Sequence, residues 1–284
     1  MNALNQATTA VFDWLLWLPE QLGRVFALCF ASAVFGVFAL WVFKQVSPQR
    51  RIKEAKERIK AHLIEIRIWQ DDLRIVGIAI GKVLGRNLQY LALNLTPFLP
   101  LFLPFALVVA QFVVRYGFAP VPTTPPGMER LAGAGTTIDI ELAATHASRV
   151  GELVLVLPPG VEQVSPLVVN ARDGRAFVEV VARESGVHEL AFELDGARAT
   201  KLLAAGAVAP RTIQGERGTG FVDALLWPAE PAFDEGSPFV RIRHAQPDAD
   251  LGFLPGGPGG IVLSFLVLSM LAGALAIKPL KVQI

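Results

Sequence analysis

Long uncharged apolar windows alternate along the chain with polar stretches of regular period, and this alternation divides it. Nineteen uncharged residues, VFALCFASAVFGVFALWVF, lie between Arg24 and Lys44; 28 lie between Arg86 and Arg115; 27 lie between Asp250 and Lys278, with IVLSFLVLSMLAGALAI (261–277) as their apolar part. About 20 helical residues cross a hydrocarbon core about 30 Å thick, so the windows predict transmembrane helices at 24–43, at 87–114 and within 257–284, which ends in a short tail. Between the first two windows the period is helical: Ile52, Ala55, Ile59, Leu63 and Ile66 recur at steps of three and four and make one seam. Ser47 before Pro48 reads as the start of this helix, and Asp71 or Asp72 as the cap of a second helix running into the next window. Residues 44–86 are therefore expected to form a helical hairpin, a short antiparallel coiled coil.

After Arg115 the period shortens to two. VPTTPP (121–126) reads as a linker, followed by TTIDIELAA, ELVLVLPPGV, RAFVEVVARE, VHELAFEL and ATKLLAAGAV, with turn signals RDG, ESG and LDG between them. Strands at this spacing predict a small antiparallel β-sandwich of immunoglobulin-like type within 115–256, with FVRIRH (239–244) as a further strand and 208–256 wrapping it. The expected fold class is thus an α-helical membrane protein with three transmembrane helices, a cytoplasmic helical hairpin and an inserted extracytoplasmic all-β sandwich. Residues 1–23 carry Trp14 and Trp17 and are expected in the outer membrane interface, where indole rings prefer to sit. ASA (31–33) has the look of a signal-cleavage site, but apolar sequence continues past it, and Asp13 and Glu20 stand where a basic region belongs; an uncleaved anchor fits better.

Charge orients these pieces. Residues 44–86 hold 11 basic and 5 acidic side chains, whereas residues 115–250 hold 12 basic and 18 acidic. Basic loops stay cytoplasmic, and Lys278 and Lys281 after the third window agree, so the N-terminus is expected outside and the C-terminus inside a cell inner membrane. The acidic β-domain then lies on the outer face, periplasmic where a second membrane exists. With 52% hydrophobic and 18% charged residues, the composition matches such a mixed chain.

Candidate chemistry is sparse. The single cysteine, Cys29, allows no internal disulfide, and His62, His146, His188 and His244 read as scattered surface residues. No nucleophile, paired-carboxylate or metal-ligand motif is present, so neither an enzyme nor a cofactor is expected. GIAIGK (77–82) is one residue short of a phosphate loop, and Val83 stands where that loop needs Ser or Thr. Gly77, Gly81 and Gly85 recur every fourth residue, and Ser32/Gly36 and Ser269/Gly273 repeat the spacing in the outer windows. A glycine costs a helix up to ~1 kcal/mol, so these read as helix-packing positions. Arg50, Arg51, Lys53, Lys56, Arg58 and Lys60 form a basic face suited either to anionic lipid headgroups or to the phosphates of ribosomal RNA.

An outer N-terminus, the hairpin RRIKEAKERIKAHLIEIRI, the proline-broken window LQYLALNLTPFLPLFLPFALVVAQF and a third span ending inside together resemble the YidC-like membrane insertase superfamily. The closer likeness is to its three-span archaeal and ER-membrane-complex-like branch. The resemblance covers about half of the chain, the spans and the hairpin. It implies a partly hydrated groove that assists insertion or folding of membrane proteins, chaperone-like, with nascent membrane proteins or the ribosome as partners beside the bilayer. Pro97, Pro100 and Pro104 then free backbone carbonyls, and Asn94, Thr96 and Gln111 supply polar groups to that groove; the alternative is a simple kink in a packed helix. The chain departs from the family pattern in carrying a β-domain between the last two spans and no basic residue between Arg24 and Lys44. A rival reading is an anchored structural protein whose outer domain binds a cell-envelope partner.

Overall fold

The computed structural model describes residues 2–96, 98–129, 135–207, 210–280 and 282. In chain order the elements are α1 (Asn2–Gln21), α2 (Arg24–Val46), α3 (Gln49–Ile68), α4 (Leu73–Leu95), α5 (Phe98–Tyr116), β1 (Thr136–Leu142), β2 (Val154–Val156), β3 (Val161–Gln163), β4 (Val168–Asn170), β5 (Arg175–Ala182), β6 (Gly186–Leu194), β7 (Ala197–Ala205), β8 (Glu216–Gly218), α6 (Gly220–Leu226), β9 (Phe239–His244) and α7 (Gly257–Leu280). A 3-10 helix, Ala144–Glu152, follows β1. Among the described residues three helices, α2, α5 and α7, are long and apolar enough to cross a membrane. The chain divides into two compact units, Met1–Leu28 with Ala106–Ser264, and Cys29–Phe105 with Phe265–Ile284.

In the second unit, α3 and α4 lie side by side and antiparallel: Lys56 Nζ sits 5.6 Å from the Tyr90 ring centroid, and Lys82 Nζ is 3.7 Å from Glu65. Ile52 and Ala55 of the α3 seam are buried, as is Ala79 of α4. Asp72 caps α4, its Oδ1 accepting from Arg74 N at 2.9 Å and Ile75 N at 3.1 Å. The start of α3 differs from expectation: Pro48 is the N-cap and no side chain caps the helix. The second window is also not one helix. Its first residues continue α4 as far as Leu95, and a new helix opens at Phe98. Pro100 lies in the first turn of α5, where its missing N–H has no helical partner in any case, whereas Pro104 lies inside the helix. Where α2 meets α7, a Cβ at Gly36 would collide with the Ser269 backbone, and Phe35, Phe105 and Phe265 cluster with ring centroids 5.1–6.2 Å apart.

The first unit holds two antiparallel sheets, β3-β5-β1-β9-β8 with β4 also on β5, and β2-β6-β7. Their facing residues, among them Ile138, Ile140, Val178 and Val180 from one and Leu190, Phe192 and Leu203 from the other, share one buried cluster. All five alternating segments and FVRIRH carry strands, in keeping with their period of two. Asp195 and Gly196 both have positive φ and close the two-residue β6–β7 turn, the geometry that Asp-Gly favours. The VPTTPP stretch is more than a tether: Val121 is buried and bonds to Ala204 and Gly206 beside β7, while Thr124 N donates to Ala182 O at the end of β5.

Candidate functional site

The α3–α4 pair shows two chemically distinct flanks. On α3, Arg50, Arg51, Lys53, Arg58 and Lys60 are exposed because the seam turns Ile52 and Ala55 inward. Arg50 bonds Glu54 at 3.0 Å, and Lys56 is half-buried over Tyr90. Arg51 and Arg58 line a shallow cleft of about 200 Å³ with Gln89 and Leu93 of α4. Around α4, away from the side that meets α3, Leu73, Ile80, Leu84, Leu88, Leu91 and Leu95 are exposed, spaced as one helical stripe. Gly77, Gly81 and Gly85 lie along this stripe, and a Cβ at any of them would meet nothing within 4 Å. Their helical approach to a neighbour is thus not found among the described residues, unlike that of Gly36. Gly273 does approach the Gly36 carbonyl, at 3.3 Å from its ideal Cβ, and Ser32 is buried.

The stripe leads to the break between α4 and α5. Half-buried Asn94 donates to Tyr90 O at 2.7 Å, and Thr96 Oγ1 donates to Ala92 O at 3.0 Å, so both return to their own helix. Each keeps an acceptor oxygen unspent by that bond. Pro104 cannot donate to the carbonyl of Pro100, which leaves that acceptor without its helical donor beside exposed Phe98, Leu99 and Phe102. Pro97 lies outside the described residues. Gln111 is engaged in the other unit: it is buried there, donating to Thr9 Oγ1 at 2.9 Å on α1.

That contact belongs to a polar ladder which sequence reasoning missed. Arg115, with its side chain fully buried, donates to Asp13 Oδ1 at 2.6 Å and to Thr9 O at 3.2 Å, and Tyr116 donates to Glu20 at 3.0 Å. The seven-residue spacing of Asp13 and Glu20, which sets two carboxylates on one helical face, was the available signal.

The β-domain holds further buried charge. Lys201 Nζ bonds Glu230 and the carbonyls of Gln214 and Leu202, while Glu230 Oε2 accepts from Leu202 N at 3.0 Å. Burial holds the Lys201 ammonium below its ordinary pKa, opposed by the Glu230 carboxylate. Asp139 is bracketed by Arg175 and by Arg243 at 2.6 Å. His188 and His244 are buried, contrary to their reading as surface residues, because both lie on strands at inward positions. Burial, with the Lys201 charge second, pushes His244 well below the usual imidazole range. His244 lines an open cleft of about 470 Å³ with Phe118, Asp139, Phe177, Trp227 and Arg243. Among the described residues no group of three or more His, Cys, Asp or Glu is placed to hold a metal ion.

Comparison with protein-family models, with curated proteins and with solved structures gives no match.

Proposed function

We propose that the chain is a three-span protein of the cell inner membrane, a member of the YidC-like superfamily that assists insertion or folding of membrane proteins without a cofactor. Its N-terminus and its β-domain, a sandwich of the two sheets, lie outside, and the α3–α4 hairpin and the C-terminus lie inside. The observation that carries the reading is the exposed stripe from Leu73 to Leu95 on α4, ending within one unit at Asn94 and at the backbone acceptor freed by Pro104. An apolar segment leaving the cytoplasm finds an unbroken apolar track there, and its polar groups meet acceptors where lipid offers none. The basic flank of α3, beside the track, suits anionic headgroups or ribosomal phosphates.

A photocrosslinking amino acid at Leu88, Asn94 and Leu95 in translating cells tests this, with Val169 on the β-domain as control. Adducts with nascent membrane proteins are expected from the first three positions and not from the fourth. Adducts from Val169 alone would overturn the reading in favour of an anchored envelope-binding module, to which exposed Val154, Val156, Val168 and Val169 on β2 and β4 lend the apolar surface.

A further inference from the structure

We infer that the outward face of α1 and the exposed side of α6 form a lipid-contact surface that seats the β-domain in the outer leaflet. The inference rests on the membrane placement proposed above and goes beyond the insertion reading.

Helix α1 is two-faced, with its polarity reversed relative to a helix in water. Asn5, Asp13 and Glu20 lie on the side that also buries Leu16, the two carboxylates keeping some exposure, while Val11, Trp14, Leu15 and Leu18 fall on one arc and are exposed, Trp14 at 80%. The outward arc of α1 carries no charge. A water-facing helix of this length places its charges outward and its large apolar groups inward, so the covering medium of α1 is apolar. Only Leu22 and Gly23 separate α1 from α2, one of the membrane-length helices, and Gly23 at φ +110° lets the chain turn sharply there. A face this close to a span is covered by lipid, and its two tryptophans suit the headgroup boundary.

Helix α6 extends the surface. It is held to α1 by Asn5 Nδ2, which donates to Ala224 O at 2.5 Å, and the neighbouring Ala232 N donates to Asn2 Oδ1 at 3.0 Å. Ala224 and Leu225 are buried, which leaves Phe221, Val222 and Leu226 exposed in a seven-residue helix. Lipid accounts for both sets, because each is a run of large apolar side chains with no charge among them on helices pinned to each other.

The test uses the full chain in lipid nanodiscs, in a Cys29→Ala background, with single cysteines carrying an environment-sensitive fluorophore. Leu18→Cys and Phe221→Cys are the test sites, Leu271→Cys on α7 reports membrane placement, and Val169→Cys reports the aqueous face of the β-domain. Brominated lipids are expected to quench positions 18, 221 and 271 several-fold more than position 169, with iodide showing the reverse order. Quenching at 271 with iodide-accessible labels at 18 or 221 overturns the inference and spares the membrane placement; no lipid quenching at 271 overturns both. Disulfide-linked dimers of the unlabelled Leu18→Cys chain under oxidising conditions, with no lipid quenching of its labelled form, would assign the face to a second copy and overturn the inference as well.

Discussion

Helices α1 and α3 are each 20 residues long and each two-faced, yet they are built inside out relative to one another. In α3 the buried seam is Ile52 and Ala55, and the cations Arg50, Arg51, Lys53, Arg58 and Lys60 stand outside. In α1 the inward side holds Asn5, Asp13 and Glu20 around buried Leu16, and the outward residues are Val11, Trp14, Leu15 and Leu18. Periodicity reports that a helix has two faces; the partner and the solvent decide which one turns inward. For α3 the partner is the side of α4 that carries Tyr90 and buried Ala79. For α1 it is Arg115 and Gln111 on α5, and a buried cation draws the carboxylates in.

The largest effect is expected where the reversed helix is held. Arg115→Met removes the buried cation shared by Asp13 and Glu20 and leaves Asp13 only the exposed Arg211 at 3.5 Å, at a cost of about 3 kcal/mol, the low end for breaking a buried pair because both carboxylates keep some exposure. Equilibrium unfolding of the full chain measures it, and adding Asp13→Asn and Glu20→Gln should restore part of the loss. An unchanged stability would mean that the ladder does not hold α1.

The ordinary helix should answer to its apolar seam instead. Ile52→Ala is expected to lose about 2 kcal/mol through the cavity it opens, whereas Leu88→Ala on the exposed stripe of α4 should fall within about 0.5 kcal/mol. Protease protection of the hairpin separates the two; equal losses would show that the stripe is packed rather than open.

A third experiment asks what buried polarity costs in the β-domain. His244 stays neutral in the fold because its pKa is depressed, so below the ordinary value of 6.5 the unfolded chain takes up a proton that the folded one refuses. Stability should therefore fall as pH drops below 6.5, by up to ~1.4 kcal/mol per pH unit until the folded ring itself titrates. Comparing melting of the full chain with His244→Asn across this range isolates the effect: the variant should lose that part of the slope, and identical slopes would refute it.

The smallest effect lies on the outer face of α3. Arg50 is 93% exposed and its bond to Glu54 is screened by water, so Arg50→Ala should change stability by no more than about 0.5 kcal/mol. A larger loss would mean that the basic flank carries packing as well as charge.

Much of the architecture was legible along the chain. The three apolar helices, the first half of the hairpin seam and the strands from Thr136 to His244 follow from local period, because a strand or helix that buries one face must repeat its apolar residues at that spacing; further along the seam Leu63 is 51% exposed. The candidate site was legible in part. Asn94, Thr96 and the prolines stood out as polar or helix-breaking residues in an apolar window, but the exposed stripe beside them did not, since nothing local distinguishes Leu88 from Ile52. The spacing of Gly77, Gly81 and Gly85 matched that of Gly36, yet only Gly36 meets a neighbouring backbone.

By itself, then, the sequence determined which segments are helix or strand, where the long uncharged stretches lie, and how charge divides between hairpin and β-domain. These depend on properties of residues close together in the chain. The tertiary structure decided what depends on residues far apart: that Arg115 gathers Asp13 and Glu20, that Lys201 finds Glu230, that His244 loses its water, and that the leucines of α4 are left facing outward. Burial and pairing are set by whatever the fold brings alongside, and a linear pattern carries no record of that neighbour.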